Sequence, residues 1–455
     1  MGINDDRQNL RKGESAPYQI WGENLDPEAV IQMDQACSLP ISVMGALMPD
    51  AHKGYGLPIG GVVAVDNAVI PYAVGVDIAC RVCMTVLDIP YSEFEQNRGR
   101  FKIAIERETK FGVGEEFSNP KLHRVMDEEW SFCSLVRSLK DKAWRQLGTS
   151  GSGNHFAEFG KLTIDREDEI PVLVAKAGNS VLNSLCGEKN TLLEPGEYLA
   201  FLTHSGSRGA GSEIASYYSN LAKRAHPELP SELKDLAWFE MGSSEGQEYW
   251  MAMELMGRYS EANHEIIHQG VLKALGAQAT LTINNHHNFA WKMSVNLNSL
   301  LKMEVAGKNR VSTNSVDSEK RVKPFIKEVI VHRKGATPAG KGVVGIIPGS
   351  MASPAFLVRG LGNPASLESA AHGAGRRMSR NAAMKQYKWS DLDALLRQKG
   401  ISLISAGLDE VPMAYKNIEE VMSHQKDLIS IIAKFDPKLV KMSPPDKKHL
   451  KRRSG

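Results

Sequence analysis

At 455 residues, with 42% hydrophobic and 24% charged residues, the chain has material for a large buried core and a well-solvated surface, which excludes global disorder. The formal net charge of +2 neither demands nor excludes a polyanionic partner, since a basic groove can be balanced by acidic surface elsewhere. No apolar run reaches the length of a membrane span, the polar stretch from Met1 to Lys12 lacks the apolar core of a signal peptide, and the cysteines (Cys37, Cys80, Cys83, Cys133, Cys186) are sparse and odd in number. A cytoplasmic protein with no disulfide framework and no membrane partner is expected.

In chain order, β-rich runs at Gly61–Val65, Val82–Asp88, Tyr198–Thr203, Glu328–Val331 and Val343–Ile347 alternate with helical stretches. The pattern predicts a long helix from about Gly246 to Leu275, with others near Ser212–His226 and Ala414–Phe435. The residues alone support mixed α/β content, with polar, glycine-containing segments after the strands, where such enzymes place their chemistry. No linker, low-complexity tract or fixed-period repeat divides the chain. The end, Lys447 to Gly455, is basic, and a solvated tail and an RNA-contacting tail are both open.

Two motifs mislead. His264-Glu265-Ile266-Ile267-His268 fits the zinc-protease pattern HExxH, but it lies within the long helix beside the core-like Trp250, Met251, Leu255, Met256 and Tyr259. It reads better as a structural helix with exposed histidines. Gly335-Ala336-Thr337-Pro338-Ala339-Gly340-Lys341 approaches a P-loop, but Gly342 stands where the magnesium-binding hydroxyl belongs, and a strand-like run follows instead of a helix.

Five segments set metal-ligand or phosphate-binding residue types among glycines and small residues. They are Gly75–Cys80, with Asp77 and Cys80; Gly148–Glu158, with Asn154, His155 and Glu158; Leu202–Gly209, with His204 and Arg208; Asn285-His286-His287-Asn288; and Ala371–Arg377, with His372 and Arg376. Glycines allow close backbone approach to a ligand, imidazole and thiol suit divalent metals, and arginine suits phosphate. Singly, each histidine reads more readily as a satisfied structural residue. Together they favour a functional role, since buried imidazoles near glycine turns have few apolar reasons to exist.

From Met48 to about Lys416 the chain closely resembles the RtcB RNA ligases. The resemblance rests on Met48–Gly61 (MPDAHKGYGLPIGG), on the segments above, and on His332-Arg333-Lys334-Gly335-Ala336-Thr337, Ile347-Pro348-Gly349-Ser350-Met351 and Ala414-Tyr415-Lys416. It implies an α+β fold with extensive mixed β-sheets, surrounding helices and a central active-site cleft. It also implies one catalytic domain over 1–455, with a divergent basic C-terminal tail over 436–455.

The resemblance further implies GTP-dependent joining of an RNA 3′-phosphate or 2′,3′-cyclic phosphate to a 5′-hydroxyl end, in RNA repair or tRNA splicing. His372 would be the nucleophile that carries GMP. Two manganese ions would be held by Asp77, Cys80, His155, His204 and His287, with Cys80 bridging. The GTP contacts implied are Asn154, His155, Phe156, Ala157, Glu158, His287, Asn288, Pro348, Gly349, Ser350, Met351, Ala355, His372, Gly373, Ala374, Gly375 and Tyr415. Glu158 would accept from the guanine N1–H and amino group, which adenine does not offer. Asp50, Arg208, Arg333, Lys334 and Arg376 would contact phosphate or the RNA backbone. An archease-like activator enters as a partner. An alternative is a paralogue that acts as a metal-dependent phosphoesterase or RNA-end nucleotidyltransferase without full ligation.

Some positions depart from the family pattern. Ala79 and Arg81 replace glycines in the first metal block, where added bulk would alter access. Pro354 is unusual, and Ala355 stands where a nucleotide-contacting serine is typical. The chain ends without the family's usual Val-Val-Lys-Gly-like tail, so its guanine-contacting lysine has no assigned counterpart.

Overall fold

Residues 15–165, 194–296 and 326–444 are described in a computed structural model. Their architecture is α+β with extensive mixed sheets. Cys186 and Lys447–Gly455 lie outside the described residues.

The first sheet has five strands, ordered Tyr18–Ile20 (β1), Ser42–Tyr55 (β2), Leu57–Val65 (β3), Ile326–Lys334 (β11) and Asn288–Asn296 (β10). Only the β1–β2 pair is parallel. The register of β2 against β3 breaks between Leu47 and His52, so the chain bulges at Met48–Ala51. Such an irregularity re-aims side chains, and Asp50 is the residue re-aimed here.

The second sheet is ordered Val344–Ile347 (β13), Ala355–Gly360 (β14), Ile429–Met442 (β17), Phe156–Ile164 (β6), Gly196–Ser205 (β7), Arg81–Leu87 (β5) and Ala279–His286 (β9), with Ser402–Ser405 (β16) beside β17. It curls until its edges nearly meet. Asn285 on β9 bridges the gap, accepting from Ile346 N–H at 2.8 Å and donating to Thr337 Oγ1 at 2.6 Å. Period-two alternation sends Val82, Met84, Val86, Leu162, Ala200, Leu202, Ile283, Leu357 and Phe435 into one buried cluster inside the curl.

The opposite faces of β5, β6 and β7 pack Phe159 and Phe201 against Ile267 and Val271 of the long helix α7 (Ser244–Leu275), and against Phe94 and Phe101 of the preceding helices Tyr91–Gln96 and Arg98–Glu108. α7 is capped at both ends. Ser243 Oγ accepts from Gly246 N–H at 3.0 Å, and Gly276 closes the C-terminus at φ +62°.

The expected helix over Ala414–Phe435 is not there. A short helix spans Ile418–Ser423, and β17 begins at Ile429. Residues 436–442, expected as the start of a tail, are instead the second half of this central strand, paired with β6 and with β16. The P-loop look-alike behaves as its sequence suggests, with Ala336–Pro338 a short strand and Val344–Ile347 the next one.

Candidate active site

The inner face of the curled sheet ends in polar residues. His204 and Phe156 pair across β7 and β6, Val82 of β5 pairs with His204, and Glu158 lies two residues further in. His204 thus sits at the rim of the curl, at the base of a cleft of about 1040 Å³. Phe156, Glu158, Pro348, Gly349, Ser350, Met351, His372, Gly373, Ala374, Gly375, Arg376 and Tyr415 line the same cleft, as do Asn154 and Lys334.

The candidate metal ligands converge. Cys80 Sγ lies 3.0 Å from His204 Nε2 and 3.4 Å from His155 Nε2. His155 Nε2 lies 3.0 Å from Asp77 Oδ2, and His204 Nε2 lies 3.3 Å from His287 Nε2. Two overlapping triads result, Cys80/His204/His287 and Asp77/Cys80/His155, which share the sulfur. The donor set fits divalent cations. Among the described residues His204 Nδ1 faces the Asn154 carbonyl, at 3.2 Å, and there it carries the proton, while its Nε2 lone pair points at Cys80 and His287. His287 Nδ1 is buried without a partner.

The electrostatics agree. Burial, then the charges of His155 and His372, pull the His204 imidazole well below its ordinary pKa. Burial, then His372, does the same at His287, so both candidate ligands are neutral. Burial raises the Asp77 carboxyl, but the hydrogen bond and charge of His155 and the charge of Arg208 outweigh it and hold the group below the usual carboxylate range. Burial and then Asp77 push the Cys80 thiol up, so a thiolate there requires a cation beside it.

Close backbone approach makes this possible at two glycines. A Cβ on Gly206 would fall 2.2 Å from Asp77 Oδ1, and one on Gly151 would fall 1.7 Å from Arg208 Nη2. Arg208 itself begins the helix Arg208–Ala225 at φ +55°, with Nη1 3.2 Å from His155 Nδ1.

His372 follows the short strand Ser369–Ala371 and stands beside the ligand cluster, its ring centroid 4.9 Å from that of His287. Its Nδ1 lies 2.7 Å from Oδ2 of Asp50, a fully buried carboxylate that also accepts from the backbone N–H of His372 and Gly373. Asp50 was expected on phosphate or RNA. The bulge in β2 turns it onto His372, and Lys416 Nζ fixes that bulge by donating to Pro49 O at 3.1 Å and Ala51 O at 2.7 Å.

Other expected contacts have partners within the fold. Arg333 is buried, donating to Ser369 Oγ at 2.7 Å and Leu367 O at 2.9 Å and stacking on Trp291, so the fold consumes it. Arg376 is held by Glu410 at 3.1 Å and Asp409 O at 2.7 Å and lies over the Tyr415 ring. Lys334 donates to the carbonyls of Tyr55 and Tyr72, and burial lowers its pKa to about 7. Asn288 bridges backbone, donating to Asp77 O and accepting from Gly335 N–H. The side chains of Ala157 and Ala355 turn into apolar cores instead of the cleft.

Glu410 is a cleft residue that the sequence did not announce. It is buried among Arg376, Arg380 and Tyr415, and an isolated Asp-Glu pair, here in the single turn Leu408–Glu410, gives no signal of that. Lys441, near the chain's end, donates to Thr109 O at 3.1 Å, away from the cleft, while Met442 lines it.

Ala79 adopts φ +56°, a left-handed conformation that glycine would take more easily; its N–H donates to Asn288 O at 2.7 Å. Arg81 does not crowd the cleft. It turns the other way, toward α7, and meets Glu261 at 3.6 Å.

The HExxH histidines are fully buried, not exposed. His264 Nε2 faces the Ser205 carbonyl at 3.3 Å, so Nε2 bears the proton and Nδ1 accepts from Thr203 Oγ1 at 2.8 Å. With its one proton so used, Thr203 accepts from His268 Nε2 at 2.8 Å, and Thr85 donates to His268 Nδ1 at 2.8 Å. Cys83 Sγ lies within 4.8 Å of a nitrogen of each ring, but this proton order satisfies all four nitrogens without a metal.

A family model described as tRNA-splicing ligase RtcB matches residues 32–442. The chain is 31% identical to the RNA-splicing ligase RtcB of Escherichia coli K12, over 92% of this chain and 95% of that protein. It is 30% identical to the tRNA-splicing ligase RtcB of Nanoarchaeum equitans over 90% and 91%, and 28% identical to the RNA-splicing ligase RtcB of Mycobacterium bovis over 90% and 99%.

The chain belongs to the RtcB family. As an RtcB-family protein it carries a Cys/His/Asp cluster that fits a metal-dependent enzyme, beside a histidine aimed by a buried carboxylate. Among its described residues, no helix is long and apolar enough to cross a membrane.

Proposed function

We propose that this chain joins RNA 3′-phosphate or 2′,3′-cyclic phosphate ends to 5′-hydroxyl ends, using GTP and two manganese ions, with His372 as the nucleotide carrier. The observation that carries the reading is the orientation of His372. Its Nδ1–H is committed to Asp50 at 2.7 Å, which leaves the Nε2 lone pair for a phosphorus atom, 4.9 Å between ring centroids from the candidate ligand His287.

Asp77, Cys80, His155, His204 and His287 would hold the metals, with the Cys80 thiolate shared. Bound there, the cations would neutralise the phosphates and stabilise the entering and leaving oxygens. Thiolate and imidazole prefer zinc to manganese intrinsically, so manganese use would rest on geometry and availability.

His372 Nε2 attacks the GTP α-phosphorus, forming an N–P bond and expelling pyrophosphate. An oxygen of the RNA 3′-phosphate then takes the GMP as the N–P bond breaks. Finally the 5′-hydroxyl of the second end attacks the RNA phosphorus, gives up its proton and displaces GMP. A cyclic phosphate is first opened by water. Burial pushes the Glu158 carboxyl well up, and the N1–H and amino group of a bound guanine, donating to it, would favour its ionised, accepting form. Arg208, beside His155, supplies positive charge near the phosphates. An archease-like protein would assist the exchange.

Incubation with α-labelled GTP and manganese, then denaturation, tests the reading. An acid-labile label on the wild-type protein, absent from His372→Ala, is expected. Label retained by His372→Ala would sink it, and absence of label with cyclic phosphate still opened would point to a phosphoesterase.

A further inference from the structure

The candidate ligands come from four separate segments; one turn of α7 touches three of them directly and reaches the fourth through Arg81. Ser260 Oγ donates to Ala79 O at 2.7 Å, next to Cys80. Asn263 Oδ1 accepts from Gly148 N–H at 2.7 Å while Nδ2 donates to Thr149 O at 3.1 Å. That fixes the loop whose Ser150 carbonyl faces His155 Nδ1 at 3.1 Å. His264 Nε2–H donates to Ser205 O, next to His204. Glu261 pairs with Arg81, whose Nη2 meets His286 Nδ1 at 3.1 Å, next to His287.

Ser260, Asn263 and His264 share one helical face through i, i+3 and i+4 spacing, and Glu261 flanks it. Those three side chains are fully buried, and most of their contacts end on backbone atoms, so they fix where each ligand-bearing segment runs. The helix can act as a rigid reference because it is capped at both ends and anchored in apolar clusters on either side of this turn.

We propose that Ser260, Glu261, Asn263 and His264 are positioning residues that together set the spacing of the metal ligands from behind the sheet. This rests on the metal-centre reading above. The histidine of the zinc-protease look-alike thereby acquires a role, as a template for a metal centre it does not touch.

The test is manganese affinity, measured calorimetrically, alongside thermal melting. Ser260→Ala and His264→Leu are expected to weaken binding about tenfold or more, the range typical of lost support behind metal ligands. His264→Gln, whose amide nitrogen can still donate to Ser205 O, is expected to stay within about threefold of wild type. Tyr249→Phe removes an equally buried hydroxyl on the same helix, bonded to Pro71 O, and is expected to leave affinity unchanged even where the melting temperature drops. Should His264→Leu fail to fold, Ser260→Ala carries the test. Wild-type binding with unaltered affinity in Ser260→Ala and His264→Leu would overturn the positioning role. A wild-type protein that binds no divalent cation would overturn the metal-centre reading itself.

Discussion

Asp50 has no freedom to serve as a passive acceptor. One of its oxygens takes the His372 ring N–H and two backbone N–H groups, while Oδ1 is buried without a partner. Asp50→Asn can keep those three contacts only by placing its amide where Oδ1 is, and nothing there accepts a proton. The charge that would stabilise a developing imidazolium is also lost. Nucleotide transfer to His372 is expected to slow about 100-fold in Asp50→Asn, read as single-turnover labelling from α-labelled GTP. An unchanged rate would leave Asp50 with a packing role only. The residue was visible in the sequence as part of Met48–Gly61, but its partner was not. An aspartate's target 322 positions away depends on a strand bulge that no local pattern encodes.

The element read wrongly is the most instructive. From Ile429 to Phe435 the apolar spacing suits helix or strand, and Pro437 argues against a central strand because it cannot donate to a neighbour. The sheet resolves both problems. β14 and β6 offer partners on either side, and the register against β6 shifts between Pro437 and Leu439, so the proline falls at an irregularity. A chain stopped before Asp436 would strip β6 and β16 of that partner and expose the apolar positions Leu439, Val440 and Met442 pack against. It is therefore expected to be insoluble or to lack a cooperative melt, as circular dichroism of the truncated protein would reveal. The segments of the candidate metal ligands were legible for the opposite reason. Asp77, Cys80, His155, His204 and His287 lie among glycines and small residues, where few apolar demands compete. The α7 histidines followed the helical period but were assigned to the exposed face, because a polar residue at a buried position has no signature until its carbonyl partner is known.

For the molecule as a whole, buried neutral histidines set a limit on acid tolerance. Burial lowers the pKa of His268 to about 3 and that of His332 to about 4. In the unfolded chain each would titrate near 6.5. Their contribution is therefore intact above about pH 6.5 and is lost as pH falls from there toward 4 for His332 and toward 3 for His268, because only the unfolded chain takes up the protons. At pH 5 the loss is about 2 kcal/mol for each, at roughly 1.4 kcal/mol per pH unit. Urea melts at pH 7.5 and pH 5.0 are expected to show a clear fall in midpoint. Equal midpoints would mean that these imidazoles are charged in the folded state.

The distance along the chain between Asp50 and His372 has a consequence for the protein's own synthesis. While the chain is emerging from the ribosome, the carboxylate is made early and waits for an imidazole supplied 322 residues later. Until then a nascent or prematurely ended product would hold ligand side chains but no aimed nucleophile. Under the proposed mechanism, competence to take up nucleotide would then arrive late and all at once, and abortive products would stay inert toward it.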